Sequence, residues 1–139
     1  MDASSLSSLL AELFTAIHLL SGYNLPADYP EIHRVPQQVI QERFCHSRCG
    51  IKAVYDPDLG VYIDETLDFE KNLFARSILL HELVHHVQAV SGRFNEDSSE
   101  CERRNRSEEE AYRIQNRYLA SVNDYHHVIY PAWSLKCPG

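Results

Sequence analysis

Apolar residues at Leu6, Leu9, Leu10, Leu13, Phe14, Ile17 and Leu20 recur every three or four positions, a spacing that predicts an amphipathic helix ending at Ser21-Gly22. Its His18 has no partner at metal-ligand spacing and reads as a surface or packing residue. Pro26 and Pro30 bracket a loop, Glu31 to Val35 reads as a short strand, and Pro36 opens a short helix running to about Cys45. The period then drops to two. Gly50 to Tyr55 and Val61 to Ile63 alternate like strands, and the turn-rich Asp56 to Gly60 between them predicts a hairpin.

After an acidic, loop-like stretch from Asp64 to Asn72, the helical period returns twice. From Ser77 to Val90 the residues Leu79, Leu80, Leu83, Val84, Val87 and Val90 cover most of a helix circumference, which predicts a buried helix closed by Ser91-Gly92. Arg93 to Ser98 turns the chain back. Ser99 to Val122 then carries one stripe, made by Ala111, Tyr112, Ile114, Tyr118, Leu119 and Val122. The tail from Asn123 to Gly139 is aromatic, with Tyr125, Tyr130 and Trp133.

At 139 residues, 44% apolar and 24% charged, the chain reads as a single domain, 1–139, with a real core. Its net charge of −7 and lack of a clustered basic run exclude nucleic acid as an expected partner. No apolar run approaches a membrane span, and the N-terminus has no basic leader, so neither a transmembrane segment nor a signal peptide is expected. The four cysteines, Cys45, Cys49, Cys101 and Cys137, fit two disulfides in a secreted domain or buried thiols in a cytoplasmic one, and leave the compartment open. Cys45 and Cys49 with His46 form at most half of a structural zinc site, since no second cysteine pair matches them.

The chemistry gathers inside the buried helix, which reads His81-Glu82-Leu-Val-His85. Two imidazoles one turn apart project from one face and can bind a single metal ion, while Glu82, about 100° round from His81, points past the metal and suits a general base. Two histidines and an acid in an apolar helix are costly to bury without such a partner. His86 points elsewhere and suits packing or support of the site. A third ligand must come from outside the helix. The continuation to HExxHxxGxxH is broken, with Gln88 in the glycine position and Ser91 in that of the last histidine, which excludes the metzincins. On the second helix Glu108 lies within roughly 40° of the centre of the apolar stripe, whereas Glu109 and Glu110 lie more than about 100° away on the polar side. Glu108 is therefore the candidate ligand if the helix starts at Ser99, whose spacing to Glu102 makes a capping box. Ser107 with Glu110 has the same spacing and would make these acids a mere helix start.

HExxH followed by a helix carrying Glu-x-x-Ala-Tyr (Glu108 to Tyr112) resembles the gluzincin metallopeptidases, in particular their compact minigluzincin forms, over about Gly50 to Val122. The resemblance implies an α+β, zincin-like fold in which a small, mostly antiparallel sheet packs on the HExxH helix and on a second, Glu-bearing helix. It implies Zn2+ held by His81, His85 and Glu108, with Glu82 as base. It also implies an extended peptide or protein substrate added to the free edge of Val61, Tyr62 and Ile63. Tyr112 stands where many gluzincins carry an Asp supporting the first histidine. Tyr112, His126 and His127 are candidates to stabilise an oxyanion or support the ligands, and the two tail histidines are also the substitutes should Glu108 not bind. Peptide-bond hydrolysis is thus the leading function. The rivals are a zinc-stabilised, non-catalytic module that recognises a partner through its hairpin edge, and a metal-free helical interaction protein.

Overall fold

The computed structural model describes residues 1–45, 50–96, 99–130 and 137. Helix α1 (Ala3–Ser21) is capped by the Asp2 carboxylate on the Ser5 N–H and ends at Gly22, whose φ of 84° is the left-handed turn glycine takes without strain. Strand β1 (Ile32–Val35) leads through a short helix α2 (Gln37–Ile40) and a π-helical turn (Gln41–Cys45) to the hairpin of β2 (Ala53–Asp56) and β3 (Gly60–Asp64). Helices α3 (Leu73–Ser91) and α4 (Glu100–Ser121) follow. The protein is α+β.

The sheet has the order β1-β3-β2, with β1 parallel and β2 antiparallel to β3. It is therefore mixed, not mostly antiparallel. The chain passes from β1 through α2 before it forms the hairpin, and this crossover lets β1 run alongside β3 in the same direction. The order also corrects the expected peptide edge. Val61, Tyr62 and Ile63 lie in the central strand, buried and hydrogen-bonded on both sides, so they offer no free backbone. Among the described residues the free edges belong to β1 and β2. At the hairpin turn the Asp56 carboxylate accepts from the N–H groups of Asp58 and Leu59, and Gly60 (φ 98°) passes so close to Glu31 that a Cβ there would meet its carbonyl oxygen at 2.4 Å.

Leu13, Phe14 and Ile17 of α1, Val61 and Ile63 of β3, Leu79, Leu80 and Leu83 of α3, and Ile114 of α4 interlock in one core. Helix α3 lies at its centre and begins a turn earlier than its apolar pattern suggests, at an Asn72 cap on the Ala75 N–H. Helix α4 begins at Ser99, whose hydroxyl accepts from the Glu102 N–H, so Glu108 lies mid-helix and the alternative start at Ser107 is excluded. By length and composition α1 meets the requirement for a membrane crossing, contrary to expectation, as core helices and signal sequences also do. Here one face of it, Leu9 to Ile17, is buried against the core. A disulfide joins Cys101 of α4 to Cys137, and Cys45 is also disulfide-bonded. His46, Cys49 and Trp133 lie outside the described residues.

Candidate metal centre

Because α3 is buried on nearly all sides, its few polar side chains must find partners, and they find them on α4 and β2. His81 and His85 stack edge-on, with ring centroids 5.0 Å apart, one turn apart on the α4 side. Both Nε2 atoms converge on Oε1 of Glu108, at 3.2 Å from His81 and in a very short contact from His85. One donor atom from each of the three lies within 4.8 Å of the others, close enough to bind one metal ion.

The opposite nitrogens settle the imidazole tautomers. His85 Nδ1 lies 2.7 Å from Gln88 Oε1. The Gln88 amide is oriented because its Nε2 donates to the Ser107 carbonyl (2.9 Å) and to Glu110 Oε1 (3.1 Å), neither of which can donate. Its oxygen therefore faces the ring, and His85 must carry its proton on Nδ1. The same logic holds for His81, whose Nδ1 lies 2.9 Å from Gln115 Oε1. Gln115 Nε2 donates to Ser77 Oγ, which itself donates to the Phe74 carbonyl. Both rings thus donate backwards through Nδ1 and direct Nε2 at the shared point, as metal-binding histidines do.

In the metal-free arrangement this geometry has an electrostatic signature. Burial opposes the charge on His85, but the hydrogen bond to Glu108 and the charges of Glu82 and Glu108 outweigh it and raise the imidazole pKa to about 9. Burial likewise opposes the Glu108 carboxylate, yet its bonds to His81 and His85 hold it well below the ordinary range. Glu82 differs. It is buried, with Oε2 4.0 Å from His81 Nε2, and its pKa is raised by desolvation, against which the two histidines and the Tyr55 main-chain N–H act. A raised carboxyl pKa beside such a triplet suits a group that must exchange a proton.

Two nitrogens and a carboxylate oxygen are a donor set suited to zinc, and the 3.2 Å gap from His81 to Glu108 is close to the edge of about 3.3 Å of a tetrahedron with zinc-type bond lengths. The residues present fit the ion. Of the other expected site residues, Tyr112 adjoins the triplet: its ring lies 4.4 Å from that of His81, and burial together with Glu108 and Glu82 pushes its phenol up to about 12. Tyr130 stacks on Tyr112 at 5.1 Å. The tail histidines are not brought to the centre. His126 stacks on Phe74 and pairs with Asp124 at 2.5 Å, and His127 is exposed. His86 turns away as expected, with Nδ1 on the Tyr55 hydroxyl and Nε2 on the Asp28 carbonyl.

Glu110 requires a correction. It is 8% exposed rather than on a polar face, accepting from Gln88 and from the Tyr23 hydroxyl, with Arg93 and Arg113 at its rim. The apolar stripe understated the buried arc, because α1 and α3 cover α4 from different sides. Glu108 and Glu110, about 160° apart round the helix, occupy opposite margins of that arc. The supporting residues Gln88, Gln115, Tyr23 and Tyr55 were also missed. A signal existed for the glutamines: Gln88 follows His85 by three positions, and Gln115 follows Glu108 by seven, so each shares a helix face with a member of the triplet.

The fold and site together define an α+β domain with a His/His/Glu triplet able to bind metal. Residues 2–137 match the model of a family described as a domain of unknown function, DUF6647, and the chain belongs to that family. No curated protein and no solved structure matches it.

Proposed function

We propose that the fold is zincin-like and that the protein is a zinc-dependent hydrolase of peptide bonds related to the gluzincins. The observation that carries the reading is the pair of glutamines that hold both Nδ1–H groups, so that the Nε2 atoms of His81 and His85 meet Glu108 beside a buried Glu82. When bound, zinc supplies Lewis acidity, lowering the pKa of water and polarising a carbonyl. His81, His85 and Glu108 would hold it. Glu82 accepts the proton of the attacking water and delivers it to the leaving amine, a transfer favoured by its raised pKa. Tyr112, which keeps its proton up to about pH 12, is placed to donate to a developing oxyanion.

Strand β2 replaces Val61 to Ile63 as the docking edge. Lys52 gives its carbonyl to Asp64, so in the antiparallel register Val54 and Asp56 also face β3, while Ala53 and Tyr55 turn their backbone groups outwards. An extended peptide along that edge would pass Glu82, which the Tyr55 N–H already contacts.

The test is metal analysis with peptide-library cleavage by the unmodified protein and by Glu82→Gln. The reading expects one zinc in both and turnover only in the first. Equal turnover by the two removes Glu82 as base. Zinc without turnover in either supports the zinc-stabilised binding module instead.

A further inference from the structure

Beside the metal centre lies a second feature, an open cavity of about 410 Å³ between the β2–β3 turn, the start of β1 and His86. Its walls are aromatic. Tyr29 is held by stacking on Phe14 at 5.1 Å, Tyr55 is held by its hydrogen bond to His86, and Tyr62 is stacked with His33 at 4.5 Å. Glu31 and Asp58 stand among the lining residues, and no lysine or arginine lines the cavity. Neither histidine there offers a free N–H. His86 donates through Nε2 to the Asp28 carbonyl and accepts the Tyr55 hydroxyl at Nδ1, while His33 donates through Nε2 to the Leu59 carbonyl. Asp58 has no cationic partner among the described residues, since its own N–H is taken by Asp56 and its carboxylate faces solvent. Glu31 has only the His33 imidazole beside it, at 3.4 Å, and Arg43 covers the face of Tyr62 turned away from His33 without lining the cavity. The rings of Tyr29 and Tyr55 with these two carboxylates form a site for a positive charge, not for an acid or a plain hydrocarbon.

Tyr55 ties this cavity to the chemistry. Its ring forms the wall, and its main-chain N–H is near enough to Glu82 to favour the charge of that carboxylate. A side chain entering the cavity from a peptide on the β2 edge would thus belong to a residue next to the one at Glu82. We propose that the cavity is a specificity pocket for an arginine or lysine side chain of the substrate. The inference rests on the peptide-hydrolase reading for the identity of the ligand. The chain's net charge of −7 favours encounter with basic peptides in the same sense.

The experiment uses the full-length, zinc-loaded Glu82→Gln protein, titrated calorimetrically with two capped peptides identical except for arginine or its uncharged analogue citrulline. The arginine peptide should bind about tenfold more tightly, the worth of one partly desolvated cation–π contact with a carboxylate beside it. Adding Glu31→Gln and Asp58→Asn, both at exposed positions, should reduce the preference to less than about twofold with zinc content unchanged. Equal binding of the two peptides, absence of binding by both, or a preference that survives the two added substitutions overturns the proposal. Failure of the hydrolase reading is distinguishable: the unmodified protein would then cleave no peptide, while the preference for arginine over citrulline in binding would persist.

Discussion

Two glutamates separated by one residue on α4 meet opposite environments. Glu108, at the margin facing α3, is only partly buried and touches two imidazoles. Glu110, at the opposite margin, is more deeply buried and is satisfied by the phenol of Tyr23, just past α1, and the amide of Gln88, with arginines only at 3.8 and 3.9 Å. Burial alone therefore does not single out the candidate ligand. What sets Glu108 apart is the kind of neighbour: two imidazole nitrogens on one side, neutral donors on the other. The two acids are nonetheless linked, because Gln88 touches Glu110 with its amide nitrogen and His85 with its oxygen.

The largest effect that would break this contrast is on zinc affinity in Glu108→Ala. It should fall by more than about 100-fold, beyond the upper range for loss of a supporting partner, as measured by competition with a chromophoric chelator. Unchanged affinity would mean that Glu108 is not a ligand. Glu110→Ala should behave differently. It strands the Tyr23 hydroxyl and leaves the Gln88 amide nitrogen with the Ser107 carbonyl alone, which costs about 1–3 kcal/mol of stability in the metal-free protein, while zinc affinity drops about 10- to 100-fold through the loosened His85. Thermal melts followed by circular dichroism, with the same chelator assay, separate the two. A larger zinc loss in Glu110→Ala than in Glu108→Ala would reverse the assignment.

A smaller effect is expected at Gln115. Replacement by Ala leaves His81 Nδ1 without its acceptor and should weaken zinc about tenfold, whereas Gln115→Glu should restore binding because a carboxylate also accepts that proton. If Ala and Glu bind zinc equally, the orientation argument for His81 fails.

The smallest effect is protonic. His85 in the folded, metal-free protein titrates at about 9, above its ordinary 6.5, so at pH 7 zinc must displace its proton. Calorimetry in buffers of different ionisation enthalpy should register about one proton released from this site at pH 7 and almost none above pH 10. For the same reason the His85 contribution to metal-free stability is complete below about pH 6.5 and is lost as the pH rises through 9. Glu108 has the opposite sign: its pKa is lowered, so its contribution is present above its ordinary 4.5 and is lost as the pH falls through its depressed folded value. These two groups therefore make the metal-free melting temperature fall on both sides of these limits, and Glu82, whose raised pKa costs stability once the pH exceeds its ordinary 4.5, tilts it downwards between them. A melting temperature that holds constant through pH 9 would argue against the His85–Glu108 pairing.

Read residue by residue, local geometry was legible and pairing across elements was not. The placement of His81, His85 and Glu82 on one helix, the start of α4 at Ser99 and the hairpin of β2 and β3 all follow from repeat spacing and caps, which act within a few residues. Glu108 was legible too, as the acid within the apolar stripe. Strand order was not, because alternation looks the same in a central and an edge strand, and only the crossover through α2 puts β3 between two partners. Nor was the burial of Glu110, which depends on Gln88 of α3 and Tyr23, just past α1, being brought to it from distant parts of the chain. The two glutamines became visible as histidine supports only when the helices were brought into contact, since an amide has no role until a specific donor lies within about 3 Å of it. The sequence by itself determined which imidazoles and carboxylates are available to a metal site. The tertiary structure alone decided which backbone edge is open and which neutral groups aim the imidazoles, because both depend on packing between segments far apart in the chain.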